Sequence, residues 1–169
     1  MAEAAIRPMH HVRINFDRDV DGCGEWLLGL FRDEQAAIKS DLERLRAEGQ
    51  TRTDPGIRQL TTRLTWSITL IADLEGAIAS PHLNPRTGRW ERLMRLFRGG
   101  QAVWVQAVIR GEQAALLDDL HDLRAERKPE DDPEVMTVSQ QVRWSVNVLR
   151  DLDVSLILLA GPDEDPRPH

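Results

Sequence analysis

Cysteine is nearly missing from this chain of 169 residues, where Cys23 stands alone. A disulfide within the chain is therefore excluded, and so is a zinc site built on several thiolates. Tyrosine is absent, which removes any chemistry that needs a phenol. Lysine is scarce: Lys39 and Lys128 stand beside a large excess of arginine, a bias that suggests a high-GC bacterial gene. No apolar run approaches the ~20 residues of a membrane-spanning helix. The opening MAEAAIRPMHHVRINFDRD lacks the apolar centre of a signal peptide. With a single thiol, these absences lead us to expect a reducing, cytoplasmic setting. The net charge of −6 weighs against nucleic acid as the main partner.

What the chain does have is an internal match. RDEQAAIKSDLERLRAEGQ, from Arg32, lies over RGEQAALLDDLHDLRAERK, from Arg110, at an offset of 78 residues. The same offset sets Asp54-Pro55 over Asp132-Pro133, Trp66-Ser67 over Trp144-Ser145, and Asp73-Leu74 over Asp151-Leu152. Upstream it sets Gly22 over Gly100 and Trp26 over Trp104. Between Arg32 and Leu74, 17 of 43 pairs are identical without a gap.

Each copy reads as helix, polar loop, helix. Leu27, Phe31, Ile38, Leu42 and Leu45 recur at helical spacing, as do Val105, Ile109, Leu116, Leu120 and Leu123. The second helices carry the stripes Ile57, Leu60, Leu64, Ile68, Ile71, Ile78 and Val135, Val138, Val142, Val146, Leu149, Leu156. In the loops, Gly49 is placed to end a helix, and Asp54 and Asp132 to cap the next one, with Pro at its first position. The expected fold is all-α: a four-helix bundle of two tandem, homologous hairpins about a pseudo-two-fold axis. The expected organisation is an N-terminal arm (1–21), hairpin copy 1 (22–79), a basic connector (80–99), hairpin copy 2 (100–160) and a disordered acidic tail (161–169).

Four groups of residues are candidates for function. Trp66 and Trp144 fall away from the main stripes of their helices, as do Trp26 and Trp104, and Asp73 and Asp151 lie near the first two. An indole facing outward amid polar side chains has the character of an interface centre, although packing of one hairpin on the other would also cover it. Glu34-Gln35 and Glu112-Gln113, at the stripe edges, are candidates to line a ligand pocket between the hairpins; pairing with an Arg or Gln is the plainer account. Glu75 and Asp153 add a carboxylate to each second helix, but the Glu-x-x-His signature of di-iron bundles is absent. Asp17, Asp19 and Asp21, followed by Gly22, match the opening of a calcium loop, yet Leu28 holds the position where a bidentate Glu is needed. Finally Arg86, Arg89, Arg92, Arg95 and Arg98, with Trp90, Leu93, Met94 and Phe97 between them, read as a basic amphipathic helix. It would pack across the bundle end or, less expectedly, lie on an anionic membrane.

No Gly-rich phosphate loop, Cys-x-x-Cys or nucleophile elbow occurs. The paired Glu-x-x-Glu pattern of helical nucleotide pyrophosphohydrolases is also missing. The expected function is therefore non-enzymatic, without cofactor or metal: association with itself, as a homodimer, or with another protein, as an accessory, adaptor or scaffold. A small-ligand sensor with a pocket between the hairpins is the alternative, and a metal-dependent helical enzyme the second alternative.

Overall fold

Helix ends are set where the sequence places its stop and start residues. In a computed structural model, which describes residues 22–80, 82–84, 89–91 and 100–159 and the side chains of 22–80 and 100–154, helix α1 runs over Cys23–Ala47 and α2 over Pro55–Ala79. Helix α3 covers Gly100–Ala125 and α4 Pro133–Leu159. Gly49 takes the left-handed conformation after α1, with φ 88°, and its N–H and that of Gln50 donate to the Arg46 and Leu45 carbonyls. This closes the orphan carbonyls of the last turn. After α3 the same place is held by Arg127 at φ 60°, with Lys128 N–H donating to the Leu123 carbonyl. Only one of these turns has the glycine that such a φ favours.

The two aspartates play different parts. Asp132 Oδ1 accepts from the Glu134 N–H at the start of α4, a side-chain cap. Asp54 occupies the N-cap of α2 but makes no cap bond, and its carboxylate accepts instead from the backbone and hydroxyl of Thr51 in the loop. The second loop is tied by Arg124 to Glu130 and Lys128 to Glu134. The Arg124 guanidinium holds the exposed Glu130 carboxyl below its ordinary range.

The chain is all-helical in its bulk, with the four helices in two contacting pairs, α1 with α2 and α3 with α4. Across the pairs, α1 meets α4 and α2 meets α3. One core cluster spans all four helices, with Leu27, Phe31, Leu70, Leu74, Val105, Ile109 and Leu152 fully buried. Cys23 is buried in the same cluster at the first residue of α1. A smaller cluster of Leu120, Leu123 and Val135 sits near the second loop.

Two expectations need correction. Ile68 and Val146, read as stripe residues, are 57% and 48% exposed. Leu70, Leu74, Val148 and Leu152 are buried, and Ser67 and Ser145 sit among them at 0% exposure. The buried face of α2 and α4 is turned toward Trp66 and Trp144 because each helix packs on two neighbours, not one. A stripe fitted to the bulkiest aliphatic residues misses that rotation. The connector is not helical where it is described: β1 (His82–Asn84) pairs antiparallel with β2 (Arg89–Glu91), Leu83 opposite Trp90. Pro85 and Gly88 between the strands are turn formers that break a helix. Arg86, Arg92, Arg95 and Arg98 lie outside the described residues, as do Asp17, Asp19 and Asp21.

Candidate binding groove between the hairpins

Buried serine is the key to how the hairpins are held. Ser67 Oγ donates to the Leu64 carbonyl within its own helix, at 2.7 Å, and accepts from Gln35 Nε2 of α1, at 3.0 Å. Ser145 does the same toward the Val142 carbonyl, at 2.7 Å, and from Gln113 Nε2, at 3.1 Å. Gln35 and Gln113 are thus engaged inside their hairpins, where a buried hydroxyl needs a partner. They line neither end of the groove between the hairpins.

The tryptophans face inward between the hairpins. Trp26 of α1 meets Trp144 of α4 with ring centroids 6.1 Å apart and planes at 40°. Trp104 of α3 meets Trp66 of α2 at 6.1 Å and 38°. Both are favourable tilted contacts. The indoles press on small residues: a Cβ on Gly22 would lie 3.1 Å from the Trp144 ring, and one on Gly100 only 2.6 Å from that of Trp66. Trp66 and Trp144 are half-buried, covered in part by the other hairpin rather than turned outward. Residues 78 positions apart in sequence make matching Trp–Trp, Gln–Ser and Gly–Trp contacts. Trp104 is the most enclosed of the four, at 5% exposure, because Phe31 also packs on it at 5.7 Å.

The carboxylates are sorted into two sets. Glu75 accepts from Arg32 at 2.6 Å, and Asp153 accepts from Gln106 at 2.6 Å with Arg110 at 3.5 Å. Both therefore serve as links between the helices of a pair. Asp73 and Asp151 are half-buried on the Trp-bearing sides. Among the described residues, no group of three or more His, Cys, Asp or Glu is placed to hold a metal ion.

Glu34 and Glu112 behave differently. Both are half-buried, and both line one groove between α1 and α3, in company with Leu30. The end with a volume of about 490 Å³ is lined further by Glu25, Trp26, Gly29, Asp33 and Gln141. The other, of about 400 Å³, is lined further by Arg63, Trp104, Ala107, Val108 and Gly111. Asp33, Glu34 and Glu112 make no hydrogen bond or ion pair with any described residue. Among the described residues the first end carries four carboxylates and no cation, whereas Arg63 stands at the second. Trp104, whose ring forms part of the wall at the second end, has a buried Nε1 donor with no acceptor among the described residues. An unmade hydrogen bond of this kind costs about 1–3 kcal/mol. The sequence pointed to Glu34 and Glu112 and their tryptophans, with Leu30 on the same side of α1 as Trp26; it gave no sign of Arg63 or Gln141.

Compared with known proteins, the chain matches no family model, no curated protein and no solved structure. Among the described residues, no helix is long and apolar enough to cross a membrane.

Proposed function

We propose that the chain is a non-enzymatic helical binding protein that works by protein–protein association through the groove between α1 and α3. The observation that carries this reading is the convergence of Glu34 and Glu112, both unpaired, with Leu30 and the Trp26 and Trp104 rings on one open groove. Apolar walls with polar groups at their edge are the composition of a protein interface. The tryptophans hold the hairpins together and contribute part of the groove walls. The occupant is a second copy of the chain or another protein.

We further infer that the two hairpins are homologous copies of one unit, related by an approximate two-fold axis that passes between Glu34 and Glu112. The sequence match supports this, as do the paired Trp–Trp, Gln–Ser and Gly–Trp contacts. A groove on such an axis is built from equivalent positions, which then differ in detail at its two ends. The same convergence of carboxylates favours, as a second reading, a small-ligand sensor; the groove's exposure to solvent along its length fits an extended partner better.

Affinity capture from the native host, comparing wild type with Leu30→Arg/Val108→Arg, tests the reading. Partners held by wild type should be lost with the variant, whose melting curve is measured alongside to show that it still folds although Leu30 and Val108 touch the core. An identical set of partners on both would exclude the groove as the binding surface.

A further inference from the structure

We propose that the occupant of the α1–α3 groove is a basic amphipathic segment of another protein, its cationic side chains on Asp33, Glu34 and Glu112 and its apolar side chains on Trp26, Leu30 and Val108. This rests on the groove being the binding surface. Two observations select the chemistry. First, three carboxylates that line the acidic end have no partner among the described residues, and no described Lys or Arg lines that end. Charges of one sign in a concave, partly apolar site attract the opposite sign and raise its encounter rate. Second, the walls alternate aromatic and aliphatic side chains with carboxylates, and Trp26 adds an indole face that an Arg guanidinium can cover. A peptide brings apolar side chains together with its cations, whereas a simple amine or metal ion does not.

Arg63 gives the groove a direction. It stands at the end away from Asp33, where the equivalent position across the axis is Gln141. The cationic part of the segment therefore lies at the Asp33 end, and a carboxylate or the negative C-terminal end of a helix at Arg63.

The probe is a fluorescein-labelled amphipathic peptide of about 12 residues, roughly 18 Å as a helix, with Arg on one face and Leu on the other. A control peptide has Gln for each Arg. Anisotropy at low salt should show binding to wild type, weakened about tenfold or more by Glu34→Gln/Glu112→Gln, by the control peptide and by added salt. Asp33→Asn, at an exposed position, should give a smaller loss in the same direction. Equal binding of both peptides, equal binding to the double variant, or no binding up to about 1 mM overturns the proposal. Should groove-dependent capture persist while the Arg peptide fails, the basic class is wrong and the groove reading stands; loss of both ends both. Sedimentation provides the remaining outcome: a wild-type dimer that dissociates with Glu34→Gln/Glu112→Gln would give the groove to a second copy and overturn the proposal.

Discussion

The Trp26–Trp144 and Trp66–Trp104 contacts agree to within a few degrees, yet the ground around them does not. Near the first pair the groove carries Glu25, Asp33 and Gln141; the matching positions near the second are Val103, Gly111 and Arg63. Cys23 of α1 is matched by Gln101 of α3, both buried, the latter with its amide donating to the Trp66 carbonyl. The Trp and Gly positions that lock one hairpin to the other are the same in both halves, whereas the groove keeps Glu34 and Glu112 but changes the residues toward its two ends. A scaffold contact tolerates little change because close-packed rings and glycines leave no room, while a groove wall open to water accepts any charge. The differences therefore fall where a partner could sense them.

The largest test of this comparison lies in the core. Phe31 and Ile109 hold matching sites and are both fully buried. Phe31→Ala should cost about 3–5 kcal/mol. Ile109→Ala should cost less, by about 1 kcal/mol, because only Phe31 forfeits a ring contact, to Trp104. Urea melts of the two variants measure the difference, and equal losses would mean that the extra ring adds nothing.

The glycines come next. Gly100→Ala should cost about 1–3 kcal/mol by pushing the Trp66 ring. Gly22→Ala should cost a similar amount for a different reason, since Gly22 has φ 119°, a conformation that a Cβ strains. Replacing the facing indole with Phe separates the causes. Trp66→Phe should recover much of the Gly100→Ala loss, and Trp144→Phe little of the Gly22→Ala loss; recovery of both alike would put the cost at Gly22 down to crowding.

The smallest effect belongs to the buried hydroxyls. Ser67→Ala and Ser145→Ala each leave a glutamine amide short of its acceptor, and each should lower stability by about 1 kcal/mol. Double-mutant cycles with Gln35→Ala and Gln113→Ala should return the same coupling in both hairpins. Coupling confined to one would break the equivalence of the two halves.

Much of this architecture is legible in the residues. Pro55 and Pro133 open helices where their position demands it, Gly49 closes one, and the stripe on α3 is buried as spaced. What escapes the sequence is whatever depends on a second neighbour. Ile68 looks more apolar than Ser67, yet the serine is inside, because the direction from which α3 approaches α2 is not written in the periodicity of α2. The tryptophans fall off the stripe for the same reason. The candidate groove is half legible: Glu34 and Glu112 stand out as acids at the stripe edge, but their meeting across α1 and α3 is a fact of tertiary packing. Arg127 at positive φ has no local signal either, since its counterpart Gly49 is what the turn prefers.

A single thiol sealed at the first residue of α1 has a practical consequence. A reagent in solution can reach Cys23 only during moments when that turn lifts away from the core. The pace of its modification is then a stopwatch on local opening, read without any engineered label. Because Cys23 lies three residues ahead of Trp26, the stopwatch ticks beside one aromatic contact and leaves its twin untimed.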